Sequence, residues 1–397
     1  MAGFSVKFLG CKVSQTDAQA VRERLLADGH SERLDAEVAV VNTCCVTREA
    51  VRKSRRAAAR AARTHARVYV TGCGANLAED AFADLADNVV VVARRSEETP
   101  AFVAGDVGPI GCVTADARLD RVRAFVKVQD GCSFSCNFCV VPLVRGASRS
   151  RSAAAVLAEV RRRVAQGHKE VVLTGINLGC YRDREAGYRL PRLVSAVAET
   201  PGLARLRLSS IEVNHVDAEL VRVLRETATV SRHLHVPLQS GDDAVLGAMA
   251  RRYGATTFLR RLEPLGDFNL TTDVIVGFPG EDEAAFRRTL RVVEAAGVTK
   301  IHVFPYSPRP GTPTAERDTV PAEVKKERGG RLREASRVAC LARWRSKLGA
   351  EDVVLVDRPG RGYGDDYSPW LVSESAPVGE LVRVRAGGVT EEGILAA

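Results

Sequence analysis

The chain has 397 residues, 45% of them hydrophobic, and its 58 basic and 49 acidic side chains give a formal net charge of +9. That composition excludes a disordered polyelectrolyte, which lacks the apolar residues to build a core, and no apolar run approaches the length of a bilayer span. The positive balance admits an acidic partner such as nucleic acid, but most of it is Arg in an Ala-rich chain, and charge alone does not decide the matter.

From the amino terminus, Ser5–Leu9, Val38–Val41, Val68–Thr71 and Val89–Val92 read as buried strands. Asp17–Ala27, Arg48–Arg67 and Leu77–Leu85 read as helices between them. This alternation predicts a parallel sheet with helices on both faces over residues 1–115. Cys11 follows the first predicted strand, Cys44 ends the second and Cys73 ends the third. Parallel strands share one carboxyl edge, which is where open α/β sheets bind ligands. Three thiols distant in sequence therefore converge on one site suited to a metal cluster, the plainer alternative being three core thiols. Neighbours on a strand face opposite sides, so Cys44 is assigned to the site and its neighbour Cys45 to packing. Arg48, Arg52, Arg56, Arg60, Arg63 and Arg67 recur at helical spacing, as a phosphate-binding stripe or an ordinary solvated face.

Residues 114–120 read as a polar linker, and a second alternation fills 118–348. Its strands are predicted near Val122–Val128, Glu170–Thr174, Arg205–Leu208, His233–Pro237, Thr272–Val276 and Lys300–Phe304, with helices such as Ala153–Gln166, Ala218–Arg225 and Glu283–Ala296. Six such units predict a partial (βα)6 TIM-like barrel with its chemistry at the strands' carboxyl ends. The loop after the first of these strands reads Cys132-Ser-Phe-Ser-Cys136-Asn-Phe-Cys139. The C-x3-C-x2-C spacing departs from the paired C-x2-C of zinc sites. Three thiolates on one loop can hold three irons of a [4Fe–4S] cube and leave the fourth open to a chelating ligand. His233 and His235 read as buried structural residues. Val320–Leu348 is a charged helical stretch. Val353–Val356, Trp370–Val372 and Leu381–Val384 are short β segments that predict a small β-barrel over 350–397, of a kind that often grips nucleic acid. The fold class is α/β with that β-barrel appended.

The cysteine loop, with Phe138 before its last Cys, resembles the radical S-adenosylmethionine (SAM) superfamily. Leu9-Gly10-Cys11-Lys12-Val13, Val41-Asn42-Thr43-Cys44 and Thr71-Gly72-Cys73 look like the three cluster motifs of methylthiotransferases. Leu173-Thr174-Gly175-Ile176-Asn177-Leu178-Gly179, His235-Val236-Pro237-Leu238-Gln239-Ser240-Gly241, the stretch from Thr272 through Gly277-Phe278-Pro279 to Glu281, and Phe304-Pro305-Tyr306-Ser307 are similar to the branch acting on N6-threonylcarbamoyladenosine in tRNA. The likeness runs from about residue 5 to 313. Gly74, Leu143, Val213 and Cys45 depart from the pattern, but none removes a ligand. The last fifty residues resemble a divergent RNA-binding barrel of the TRAM type.

The resemblance implies a transferase with a radical SAM core and two [4Fe–4S] clusters, one on Cys132, Cys136 and Cys139 and one on Cys11, Cys44 and Cys73. It implies that SAM chelates the first cluster and yields a 5′-deoxyadenosyl radical, that the second supplies sulfur, and that a second SAM supplies the methyl group of a 2-methylthioadenosine. The clusters and SAM carry that chemistry, with no further catalytic side chain assigned. Gly175 and Asn177 are candidates for the SAM amino acid moiety, Ser209, Ser210 and Gln239 for its ribose, and Val276, Gly277 and Phe278 for its adenine. Arg145, Arg149 and Arg151 are candidates for RNA phosphates. The tRNA anticodon stem-loop, a low-potential donor of the flavodoxin or ferredoxin type and an unidentified sulfur donor are the implied partners. Met1–Gly10 lacks a signal-peptide core, so a cytoplasmic location is expected. The rival readings are a methylthiotransferase for isopentenyladenosine in tRNA or for a ribosomal-protein Asp, a non-catalytic iron–sulfur RNA-binding regulator, and a zinc scaffold.

Overall fold

The structure, a computed structural model, describes residues 3–33, 35–78, 80–93 and 122–397. The expected linker at 114–120 lies outside them. By packing, the chain divides into two units, and the division does not follow sequence order. The first unit takes the described residues up to 93 together with 130–151 and 307–315; the second takes the rest, including the carboxyl-terminal barrel. The segment carrying Cys132, Cys136 and Cys139 thus groups with the amino-terminal residues.

In the first unit, β1 (Gly3–Phe8), β2 (Ser31–Glu32), β3 (Val38–Thr43), β4 (Arg67–Gly72) and β5 (Val89–Val91) form one parallel sheet in the order β2-β1-β3-β4-β5. Alternation along β3 sends Ala39 and Val41 to one face, among Ala57, Ala58, Val68, Val70 and Phe82. Val40 goes to the other face, with Phe4, Val21 and Leu25. The apolar runs that mark the strands are therefore buried on both sides, as a parallel sheet requires.

Helix boundaries differ from the sequence reading in three places. Helix α1 is Lys12–Ala27 and starts five residues before the expected Asp17, because Ser14, Gln15 and Thr16 are buried rather than looped out. Helix α2 (Arg48–Ala62) is N-capped by Thr47, whose hydroxyl accepts from Ala50 N at 3.0 Å, and stops short of Arg67, which begins β4. The expected Leu77–Leu85 helix is two short ones, α3 (Cys73–Leu77) and a turn at Asp80–Ala83.

The second unit is built on six parallel strands: β6 (Arg123–Lys127), β7 (Glu170–Thr174), β8 (Arg205–Leu208), β9 (His233–His235), β10 (Asn269–Val276) and β11 (Val298–Pro305). β6-β7-β8 and β9-β10-β11 pair in parallel, with one register shift between Leu270 and Thr271 of β10, and bridges Leu206–Val230 and Ser210–His235 join the two sets. Val126, Leu173, Leu206, Leu234, Val274 and Ile301 belong to one continuous core. This is the partial (βα)6 array expected. The long helix Ala322–Arg345 packs on β11, where Ser336 Oγ accepts from Ile301 N at 3.0 Å.

The last five strands, Glu351–Arg358, Arg361–Tyr363, Pro369–Leu371, Leu381–Val389 and Ile394–Ala396, close into a barrel around Trp370. It docks on the amino-terminal ends of β6, β7 and β8, whose first residues are Arg123, Glu170 and Arg205, paired side by side. Glu170 is fully buried and receives Arg207 Nε at 2.8 Å and Arg205 Nη1 at 3.3 Å. The same arginines donate onward to carbonyls of the small barrel, Arg207 to Gly364 O at 2.7 Å and Arg205 to Tyr363 O at 3.3 Å. Arg123 stacks over Tyr363 and donates to the Tyr367 hydroxyl at 2.9 Å. Among the described residues no helix is long and apolar enough to cross a membrane.

Candidate metal centre

The pairing of β1, β3 and β4 aligns their carboxyl ends, Phe8 opposite Asn42 and Asn42 opposite Thr71. Cys11, Cys44 and Cys73 follow at once. Cys11 occupies the N-cap position of α1 and is exposed; Cys44 and Cys73 are buried. Ser54 of α2 pins Cys44, accepting from its N–H at 3.0 Å and donating to its carbonyl at 3.2 Å. A side-chain carbon on Gly10 would lie 3.2 Å from Cys44 Cβ, so the Cys11 turn runs directly over Cys44.

The thiols act on one another. Burial pushes the Cys44 thiol up to about 11, with Cys73 and Cys11 adding to the rise. Cys73 is brought down to about 7, first by a hydrogen bond from Cys45 and then, against its burial, by Arg145. A thiol so lowered reaches the thiolate form that metals take. Cys45 is buried as expected, but not turned away from the site. It packs with Cys73, Val140 and Val144, because β3 ends at Thr43 and strand alternation no longer governs residues 44 and 45.

Gly72 sets the entry to Cys73. Its φ is +92°, and a Cβ there would fall 2.7 Å from Thr43 O on the neighbouring strand. Both facts require glycine. Gly72→Ala is expected to cost about 1–3 kcal/mol of stability and to strip iron selectively from the amino-terminal trio, which iron analysis with and without intact Cys132, Cys136 and Cys139 resolves.

Cys132, Cys136 and Cys139 are half-buried on the second loop. Cys132 N donates to Gly146 O and Cys139 N to Cys136 O, both at 3.0 Å, and Thr314 Oγ1 closes on Asn137 O at 2.8 Å. Among the described residues no three His, Cys, Asp or Glu side chains are drawn together around a single ion. The donor chemistry, two separate sets of three thiols, fits iron–sulfur ligation.

The expected phosphate trio is not one surface. Arg145 ends the short helix Val141–Arg145 and is turned inward, 5% exposed. It holds Asp17 at 2.8 Å and Asp130 at 3.0 Å, and its Nε donates to Cys73 Sγ at 3.1 Å. A guanidinium buried between two carboxylates and a thiol is not presented to an RNA phosphate. Arg151 is also buried. Arg149 alone keeps an exposed head, donating to Arg145 O at 3.0 Å. The Arg stripe of α2 does lie on the solvent side, opposite buried Ser54, Ala57 and Ala58.

In the second unit the SAM candidates gather at the carboxyl edge of the six strands. Gly175 follows β7, Ser209 and Ser210 follow β8, Gln239 bridges to Val274 with φ +66°, and Val276 ends β10. Gln129 Oε1 accepts from Asn177 N at 2.8 Å and would lie 2.9 Å from a Cβ on Gly175. The hydroxyls of Thr174 and Ser209 are buried and have no hydrogen-bond partner among the described residues. Such groups are costly unless a ligand satisfies them, so they fit a polar cofactor. Val276 and Phe278 are packed into the core, Phe278 edge-on to Tyr306, and Gly277 between them has φ +72° and donates to Glu281 Oε2 at 2.9 Å. Thr174 stands in the Leu173–Gly179 stretch that carries the family likeness but is not among the expected site residues. His233 and His235 both bond Thr271 Oγ1, at 3.1 and 2.9 Å, in structural roles.

Residues 126–293 match the radical SAM superfamily and residues 3–93 match the uncharacterized protein family UPF0004. A threonylcarbamoyladenosine tRNA methylthiotransferase of Thermotoga maritima is 33% identical over 98% of this chain and 95% of its own. One of Bacillus subtilis is 35% identical over 84% and 80%. A tRNA-2-methylthio-N(6)-dimethylallyladenosine synthase of Paracoccus denitrificans is 32% identical over 96% and 93%. Among solved structures, the radical SAM methyltransferase TsrM of Kitasatospora setae superposes with a TM-score of 0.56 at 14% identity, covering 79% of this chain and 77% of that one, a likeness in fold alone.

Proposed function

The chain belongs to the radical SAM tRNA methylthiotransferase family, and on that footing we propose that it adds a methylthio group to C2 of N6-threonylcarbamoyladenosine in the anticodon loop of tRNA. The observation that carries the reading is the pair of cysteine trios, one at a parallel-sheet edge and one on a C-x3-C-x2-C loop, in a chain aligned almost end to end with relatives named for that substrate. When bound, the two [4Fe–4S] clusters and two molecules of SAM per turnover supply the radical, the sulfur and the methyl group.

The protein's own residues bind and orient. Cys11, Cys44 and Cys73 would hold one cluster and Cys132, Cys136 and Cys139 the other. Gly175 and Asn177 serve the SAM amino acid moiety, Ser209, Ser210 and Gln239 its ribose, and Gly277, held between the packed Val276 and Phe278, its adenine. The buried hydroxyl of Ser209 makes a separable prediction. Among the described residues Ser209→Ala removes no hydrogen bond and relieves an unpaired buried hydroxyl, so the chain without SAM should be no less stable, while SAM binding weakens about five- to tenfold, as loss of one hydrogen bond of about 1–1.5 kcal/mol implies. Urea titration and equilibrium SAM binding read the two effects.

The substrate base lies in a single-stranded loop, so it can be splayed out without melting a duplex. The exposed arginines of α2, with Arg149, are the phosphate contacts we assign. A flavodoxin- or ferredoxin-type protein supplies electrons, and the work is done in the cytoplasm. Nucleoside mass spectrometry of tRNA from a deletion strain tests the substrate. The 2-methylthio form of threonylcarbamoyladenosine should disappear and return with the wild-type gene. Its persistence, with loss of the 2-methylthio isopentenyl nucleoside instead, assigns the chain to the other branch.

A further inference from the structure

We propose that Arg145 is a positioning residue that couples the two cysteine trios, donating to Cys73 on one side while gripping the segment that leads into Cys132 on the other, and so raising the reduction potential of the amino-terminal cluster. The inference rests on Cys11, Cys44 and Cys73 being cluster ligands. Three observations within the first packing unit support it.

The first is the geometry of the fork. Arg145 Nε points at Cys73 Sγ at 3.1 Å, Nη1 at Asp130 Oδ1 at 3.0 Å and Nη2 at Asp17 Oδ2 at 2.8 Å. Asp130 precedes the cysteine loop by two residues and accepts from Gly131 N at 2.7 Å, so it sets the loop's first turn. Asp17 lies on α1, whose N-cap position is Cys11. One rigid guanidinium therefore touches groups tied to both trios, and an ammonium could not meet all three acceptors in that plane. The second is the docking of its helix. Val140 and Val144 pack on Cys73 and Cys45, and Asn76 Nδ2 donates to Val144 O at 2.9 Å, so the fork is held in place from its backbone. The third is burial: Arg145 and Asp130 are buried, and away from water a charge acts most strongly on its neighbours. Adding an electron to an iron–sulfur cluster puts more negative charge on its sulfurs. A cationic N–H donor at one sulfur therefore favours the reduced form.

The test uses the full chain with Cys132, Cys136 and Cys139 replaced by Ala, so that only the amino-terminal cluster is read, by iron analysis and a redox titration followed by electron paramagnetic resonance. In that background Arg145→Gln should keep its iron and shift the ratio of reduced to oxidised cluster at fixed poise by at least about tenfold, equivalent to 59 mV for one electron. Arg145→Lys should shift it less, in the same direction. Arg149→Gln, whose guanidinium pairs with Asp130 Oδ2 at 3.4 Å but does not touch the thiol, should shift it far less than Arg145→Gln. An unshifted midpoint in Arg145→Gln, or an equal shift in Arg149→Gln, overturns the inference. If Arg145→Gln loses its iron, Arg145→Lys decides: a lowered midpoint supports the coupling and the parent's midpoint overturns it, as does loss of iron from both. A parent chain that binds no iron is a different failure, because it removes the ligand assignment beneath the proposal.

Discussion

Cys136→Ala should yield a chain that forms no 5′-deoxyadenosine under reduction and leaves threonylcarbamoyladenosine unmodified, yet retains one four-iron cluster. The loop is stitched by its own backbone, Cys139 N to Cys136 O and Cys132 N to Gly146 O, so removing one sulfur leaves its neighbours in place but one ligand short. Three protein thiolates are the minimum that the assignment allows, and the loss of activity should be complete. Cys44→Ala should separate the two roles. Its sulfur belongs to the other trio, so 5′-deoxyadenosine should still form while methylthio product is absent. Cys45→Ala should retain both clusters, since Cys45 packs beside Cys73 without belonging to either trio. High-performance liquid chromatography of the adenosyl product, with mass spectrometry of the nucleoside, distinguishes the three.

Glu170→Ala should be the most destabilising single change outside the cysteines. Its carboxylate is buried between Arg207 and Arg205, and its loss leaves two guanidinium groups uncompensated in the interior. Removing one partner of a buried ion pair costs about 3–5 kcal/mol, which a urea midpoint reads directly. The damage should reach the small barrel, because the same arginines grip Gly364 and Tyr363. Limited proteolysis should therefore open the chain near residues 346–350. The pH dependence follows in sign. Burial alone would raise the Glu170 carboxyl, but Arg207 and Arg205 outweigh it and hold the group below its ordinary 4.5. Its contribution is complete above that value and is lost as pH falls through the lower folded value. Asp366 acts likewise: against its burial, Lys347 and Arg343 pull it down to about 2. The docking of the small barrel should weaken in acid and hold at neutral pH.

These two predictions draw on features of unequal legibility. The six strands of the second unit were visible because short β-branched runs alternate with helical stretches. Glu170–Thr174 and Arg205–Leu208 fall where periodicity places them. The strand-end cysteines were visible for a related reason: parallel topology alone puts positions 11, 44 and 73 on one edge. The Glu170 cluster was not visible. Glu170, Arg205 and Arg207 read as polar strand residues, and only the docked barrel shows that they are interior. Arg145 was misread for the same cause. Its carboxylate partners lie 128 and 15 residues away, and an arginine after a cluster loop reads as a solvent-facing cation. The early start of α1 went unseen because buried Ser14, Gln15 and Thr16 carry no apolar signal. Pattern reports burial by apolar residues; it is silent where polar groups are buried together.

Iron analysis of the anaerobically reconstituted chain, combined with alkylation of its thiols, is the most direct test. About eight irons per polypeptide, with Cys11, Cys44, Cys73, Cys132, Cys136 and Cys139 all protected from alkylation, is the predicted result for two cubes, each held by three thiolates. About four irons, with the three amino-terminal cysteines still reactive, would contradict it.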